Sequence, residues 1–488
     1  MSLSNHTLIL KNNGTLYGCG RNDYGQLGLG DESNRTTLTI TGINTNDIKS
    51  VYCGYTHTII LKNNGTLWGC GRNDYGQLGL GDTNSRSTFT SIGINTNDIK
   101  SVYCGHDYTL ILKNNGILWG CGANGYGQLG LGDTTNRTTF TQIINDVKSV
   151  YCGGIHTIIL KNDNTLWGCG RNGSGQLGLG DTYDKTNFTK ISINTNNIKS
   201  ICCGYAYTFI LNNDGILWGC GANDYGQLGL GDKSDRNVFT QITTNTNDIE
   251  SIYCGYYYTF ILKNDGTLWG CGQNTFSQLG LGDTNDRKTF TQAITNTNNI
   301  KSIYCGNSYI LMLKNDGTLW GCGWNECGSL GLGDTNHRKT FTQITVNTDS
   351  VKSFANDYNI LSTIKIYDSK IGYTETLETN NFRNIPVDKF EKLKVLCTKP
   401  LSTILNCIIS FDKKQTWKTF DGLNWSVVSD ISESNIVMNC MDIGVLNTLN
   451  KSKLIAGGFT GDLDFKIAMK TNDKTVTSSV TKIYIEYK

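Results

Sequence analysis

The chain has 488 residues, with 43 Lys and Arg against 41 Asp and Glu, and 38% of it is hydrophobic. A formal charge of +2 without a Lys/Arg-rich tail gives no electrostatic basis for nucleic-acid binding, and no apolar run approaches the length that would insert in a membrane. The opening MSLSNHTLILKNNG lacks the basic and then long apolar stretches of a secretory signal, so synthesis in the cytoplasm without Sec export is expected.

From the start the chain repeats itself. The central cysteine of a GCG motif recurs at Cys19, Cys70, Cys121, Cys169, Cys220, Cys271 and Cys322, in steps of 51, 51, 48, 51, 51 and 51. The short step arises where SIGINTNDIKS shrinks to QIINDVKS, a polar connection in which deletion costs little. Seven units therefore fill residues 1–361.

Within one unit the elements follow in a fixed order. A strand IKSVYCG is followed by a second, THTIIL, then an Asn-Gly turn, then a third strand, TLWGCG. Asn-Gly between β-rich runs predicts a tight hairpin with a type I′ turn. After the GLGD loop comes a last strand, usually TFTQI. Four short strands per unit and no helical period read as one propeller blade. The first unit begins at HTLILK with no IKSVYCG strand before it, while VKSFANDYNIL at 351–361 follows the seventh. Pairing of 351–361 with 6–11 would close the ring and remove free sheet edges. The fold class is thus all-β, a closed seven-bladed β-propeller.

The region 362–488 differs. GCG disappears, and both prolines, Pro386 and Pro400, lie here. TILNCIISFD, WKTFDG, NWSVV, DFKIAMKT and SVTKIYIEYK read as strands and DIGVLNTLNKSKLI as a short helix, giving a small β-rich or α+β C-terminal domain.

The chemistry-bearing residues mostly repeat with the frame. Thirteen of the 18 cysteines occupy two slots, GCG and the inner-strand slot of Cys53, Cys104, Cys152, Cys203, Cys254 and Cys305. They are expected to be buried, reduced, small hydrophobes. No C-x-x-C pair is present, and neither a metal nor a cofactor is expected. The Asn of G-x-N (Asn73, for example) and the Asp of GLGD (Asp82) recur in all seven units, as loop-bracing residues do. His6, His57 and His156 share one slot with Tyr108, Tyr207, Tyr258 and Tyr309, an exchange that no catalytic imidazole would tolerate. His106 and His337 fall elsewhere without a visible partner. No catalytic constellation emerges, and the protein reads as a non-enzyme.

Variation points to function. The residue after GCG runs Arg21, Arg72, Ala123, Arg171, Ala222, Gln273 and Trp324, and three positions on stand Tyr24, Tyr75, Tyr126, Ser174, Tyr225, Phe276 and Cys327. Arginine and aromatic residues on one rim compose a contact surface for a protein or a cell-surface glycan. The other reading is that the aromatics pack between blades. The candidate binding face is Arg21, Arg72, Tyr75, Arg171, Tyr225 and Trp324, with Arg72 and Trp324 expected to be exposed contacts.

The string C-G-x-x-H-T-x-x-L, D-G-x-L-W, G-R-N-x-x-G-Q-L-G-L-G-D resembles the repeat of the regulator of chromosome condensation family, which implies a seven-bladed propeller. In the family's nuclear exchange factor an inserted wedge acts on a Ran-type GTPase. The even repeat spacing here leaves no room for such a wedge, so exchange activity is not expected. SFDKKQTWKTFDGLNWSVV with DFKIAMKT and TKIYIEY resembles a module of tail and baseplate-associated proteins in phages of Gram-positive bacteria. That resemblance implies a structural or receptor-recognition part of a phage tail or prophage-derived particle, with the C-terminal domain anchoring to a larger assembly and the protein associated with the virion. A bacterial intracellular scaffold, or an effector binding a host small GTPase, is the alternative.

Overall fold

The hairpin at the centre of each repeat sets the blade. In the second blade the N–H of Lys62 donates to Thr66 O and that of Gly65 to Lys62 O, while Gly65 takes φ +85°. Asn64 has no positive φ; its side-chain oxygen instead accepts the N–H of Thr66 at 3.0 Å. The turn is therefore a three-residue loop closed by a left-handed glycine, not the expected type I′ turn, because the loop holds one residue more than I′ geometry allows. In the fourth blade Asn164, at φ 63°, takes the glycine's place.

The computed structural model describes residues 4–354 except 12–13, 44–46, 95–97, 194–197, 294–299 and 345–350, and beyond 354 only the strands named below. The chain divides into two compact units, residues 1–358 and 359–488.

The first unit contains seven four-stranded antiparallel sheets. Blade two shows the pattern: inner strand Ile48–Cys53, second His57–Lys62, third Leu67–Gly71 and outer Arg86–Ile92. Inner strands of successive blades abut one another around the axis. The second strands are buried on both sides, as in HTIILK, where only the final lysine is partly exposed. Outer strands are half-exposed. Blade one takes its inner strand, Val351–Phe354, from the far end of the array. Ile9 stands opposite Phe354, Leu10 opposite Ser353 and Lys11 opposite Val351. Residues 355–361, part of the expected closing strand, lie outside the described residues.

Each blade clasps the next at one recurring point. The carbonyl of Gln77 accepts the hydroxyl of Thr109 at 2.8 Å and the thiol of Cys121 at 3.5 Å. The same pair of donors recurs at six of the seven seams, and at the last Thr7 and Cys19 reach Ser329 O. Between blades six and seven Ile310 fills the threonine slot and the thiol of Cys322 alone donates, to Gln278 O at 3.6 Å. The GCG cysteines are buried, as expected, but they also donate a hydrogen bond across the seam. The glycine of QLG sits below a ring of the next blade: a Cβ on Gly79 would lie 2.5 Å from Phe140 and 3.2 Å from the Cys121 sulfur.

In the second unit one sheet runs Glu375–Glu378, Asp462–Thr471, Thr403–Ser410, Trp417–Phe420 and Trp425–Val428, and Phe390–Thr398 pairs with Ser479–Tyr487. The expected helix at 442–455 lies outside the described residues apart from Asp442, which ends a short strand.

Candidate functional site

Because second and third strands meet at the hairpin turn, the loops after the inner and third strands share the opposite end of the blade. All the variable positions lie on this loop face. Its frame is self-braced. Asn73 donates from Nδ2 to Asp82 O at 2.9 Å and accepts the N–H of Leu78 at 2.9 Å, and Arg86 binds the Asp82 carboxylate at 2.6 Å. The hydrogen bond from Arg86 holds the Asp82 carboxyl below its usual range. The invariant Asn and Asp are thus occupied inside the loop. Among the described residues no group of three or more His, Cys, Asp or Glu is placed to hold a metal.

The shared His/Tyr slot also belongs to the frame. His57 Nε2 lies 3.0 Å from Thr109 Oγ1 of the next blade. Since that hydroxyl already donates to Gln77 O, the network assigns the proton to Nε2. Nδ1 is buried without a partner in His6, His57 and His156. Burial pushes these imidazoles down to about 3, 4 and 3 respectively, so they stay neutral. In the tyrosine blades the phenol reaches further, and Tyr108 donates to His156 O at 2.6 Å.

The six candidate residues all stand on the loop face but do not converge on one point. Arg21 pairs with Asp23 at 2.6 Å. Arg72 pairs with Asp74 at 2.7 Å and lies 5.2 Å from the ring centres of both Tyr24, in the preceding blade, and Tyr75. Arg171 covers Tyr126 of the preceding blade at 5.1 Å. Tyr225 lies 5.1 Å from Tyr257, and Trp324 makes no ring contact among the described residues. Arg72 and Trp324 are half-buried rather than exposed: the arginine is held in place by its carboxylate and the two tyrosines. In the aromatic slot of the rim Tyr75 is exposed at 36% and Tyr126 at 40%; Tyr183, in the loop before the outer strand of blade four, is exposed at 76%. The rim thus combines arginines that bridge blades with two tyrosines, Tyr75 and Tyr126, that face solvent.

A second group surrounds the axis on the same face, and the rim residues gave no hint of it. Tyr55 stacks on His106 at 3.9 Å and Tyr205 on Tyr256 at 4.1 Å, with Tyr257 edge-on to Tyr256 at 4.6 Å. These residues follow the inner strand, where the N–H of Tyr55 donates to His106 O and that of His106 to Gly154 O. His106 has partners after all, since its Nδ1 lies 2.7 Å from Asp107 Oδ2. Burial raises the Asp107 carboxyl, but the hydrogen bond with His106, with Arg72 nearby, more than offsets this and leaves it below the usual range. His337 Nδ1 accepts the N–H of Asn325 at 3.1 Å. The signal for the axial cluster was present in the sequence: the residue after the inner-strand C-G runs Tyr55, His106, Gly154, Tyr205, Tyr256 and Asn307, as variable as the rim.

Seven four-stranded blades closed by a strand from the far end of the array, with a repeating frame and one non-repeating loop face, define a closed seven-bladed β-propeller. The chain belongs to the regulator of chromosome condensation (RCC1) repeat family: the RCC1-like domain matches residues 88–362, and the RCC1 repeat matches residues 13–61 and 48–77. It is 32% identical over 341 residues to the ultraviolet-B receptor UVR8 of Arabidopsis thaliana, covering 68% of this chain and 66% of that one. It is 34% identical over 321 residues to the human X-linked retinitis pigmentosa GTPase regulator, covering 63% of this chain and 31% of that protein. The matches thus span just under two thirds of the first relative and about a third of the second. Yeast RCC1 (Prp20), in its complex with Kap60, shares the fold at a TM-score of 0.61 and 21% identity over 71% of this chain and 85% of that chain. Human WBSCR16 does so at 0.59 and 21%, over 70% and 94%.

Proposed function

We propose that this propeller is a non-enzymatic binding module that docks a protein partner on its loop face. The observation that carries the reading is the contrast on that face: seven copies of one hydrogen-bonded frame surround a non-repeating set of aromatic and arginine side chains. Tyr75 and Tyr126 supply exposed rings, each backed by a preformed arginine contact that lowers the ordering cost of binding. Aromatic and arginine anchors dominate contact energies in protein interfaces. A small GTPase is one class of partner, favoured by the likeness to a relative named as a GTPase regulator. The resemblance of the C-terminal segment to phage tail modules supports a second role for that segment, anchoring the chain to a larger assembly such as a tail or particle.

The test compares retention by immobilised full-length protein and its Y75A/Y126A variant. A specific protein partner should be retained by the first and lost by the second, with the melting temperature nearly unchanged because both rings are exposed. Equal retention by both forms overturns the assignment of this face. Retention of glycan in place of protein overturns the class of partner.

A further inference from the structure

The face opposite the loops carries a feature that neither the family match nor the proposed docking role uses. The second residue of each inner strand is Lys49, Lys100, Lys148, Lys199, Glu250 or Lys301, and all six are exposed. In every one of these strands the ladder skips this residue: Ile48 pairs with Lys62 and Ser50 with Leu61, and the same shift brackets Lys100, Lys148, Lys199, Glu250 and Lys301. Each therefore occupies a β-bulge, the device by which a strand turns one side chain away from its ladder. The closing strand has the same shift, which puts Lys352 at the equivalent position of the register.

Because the inner strands abut around the axis, these bulges form a collar at the mouth of the ring on the hairpin side. Three of the ammonium groups are held by neutral oxygens. Lys100 Nζ donates to Lys148 O of the next blade at 3.0 Å, Lys199 Nζ to Ile249 O of the next blade at 3.1 Å, and Lys148 Nζ to Asn164 Oδ1 at 2.9 Å. No described carboxylate lies within ion-pair distance of Lys100, Lys148, Lys199 or Lys301. The nearby Asp47 and Asp98 pair with Lys62 and Lys113 on the second strands, at 3.2 Å each. Glu250 is the one acidic side chain at the collar position among the described blades.

We propose that this collar is a binding site for a compact anion carrying several phosphate groups. Like charges gathered around one axis focus the potential at the mouth and attract a multivalent counter-ion. Ammonium groups serve phosphate as point charges and need no planar fork. The surroundings select against broader partners: the hairpin turns outside the collar expose Asp163, Asp214, Asp265 and Asp316. An anionic membrane or a nucleic-acid strand lying across the face would meet those carboxylates, whereas a small anion on the axis would not.

The probes are tripolyphosphate and inositol hexakisphosphate, titrated calorimetrically into the full-length protein, with orthophosphate and a polyglutamate peptide alongside. One polyphosphate per propeller should bind at least about tenfold more tightly than orthophosphate, and K100Q/K148Q/K199Q should weaken it about tenfold or more. E250K, which completes the collar without removing any contact, should tighten binding. This second variant keeps the test decisive even if the triple variant folds poorly. The proposal is overturned if the probes do not bind, if the triple variant folds and binds as wild type does, if E250K leaves affinity unchanged, or if polyglutamate outcompetes both phosphates.

Discussion

Side chains in the repeated slots act mainly across seams, and their titration should show it. His6, His57 and His156 are neutral in the folded chain, with burial holding them at about 3, 4 and 3. An unfolded imidazole takes up its proton near pH 6.5. The stability gained by keeping these rings neutral is therefore complete above about pH 6.5 and is lost as pH falls towards their folded values. His57→Tyr places in blade two the side chain that four other blades already accommodate. Urea unfolding between about pH 6 and 4 should show a slope shallower by about 1.4 kcal/mol per pH unit than wild type. Half-buried carboxylates such as Asp82 contribute acid sensitivity to both proteins alike, so an unchanged slope would mean that His57 is not buried as a neutral ring. Gly79 is the second case at this scale. It combines φ +68° with the approach of Phe140 from the next blade. Gly79→Ala should lower stability by about 2 kcal/mol or more, through strain and overpacking together, and a wild-type unfolding midpoint would contradict that packing.

Strands and turns show what the sequence could and could not reveal. The repeat, the four strands per unit and the hairpin positions were legible, because alternation of apolar residues and Asn-Gly pairs are local signals. The type of turn was not, since one extra loop residue changes the required backbone without changing the motif. The bulges at Lys49 and its counterparts were equally hidden, because I-K-S reads as ordinary strand and the skipped pairing shows only in the register. The thiol hydrogen bonds could not be read either, as the acceptor of Cys121 lies 44 residues away in another blade. On the loop face the rim was legible as variation, but which of its residues lie exposed depended on contacts between blades. A prediction belongs to the closing strand. With Val351–Phe354 deleted, Ile9–Lys11 lose their ladder partners and the second strand of blade one becomes a bare, largely apolar edge. Such edges recruit other chains. Light scattering after gel filtration should show self-association of the deletion variant, and a monodisperse profile matching wild type would sink the idea.

In the ring as a whole, the thiol half of the clasp is repeated at seven seams and the threonine half at six, and no blade has a free side in the described structure. Blade seven holds blade one through Ser329, whose carbonyl takes Thr7 and Cys19 and whose hydroxyl donates to Asn5 O at 2.8 Å. Opening any one blade breaks two seams and bares two apolar clusters, so partial unfolding is costly everywhere and the propeller should open as a unit. The thiols report on this. Burial pushes Cys19 and Cys152 up to about 12 and raises the other GCG and inner-strand thiols as well, which leaves little thiolate to react in the closed ring. Cys152 and Cys327 are both half-buried, but Cys152 sits in an inner strand with its thiol pushed up to about 12, whereas Cys327 stands on the loop face. Under a maleimide pulse without reductant, mass spectrometry should show Cys327 labelled early and the thirteen repeat cysteines labelled together, at a rate that rises with urea as global unfolding does. Cys397, Cys407 and Cys440 of the second unit form a separate set, resolved by peptide mapping. Labelling of the repeat cysteines blade by blade would show that the seams open independently and that ring closure does not couple them; disulfides between the two cysteine slots would remove the buried-thiol account altogether.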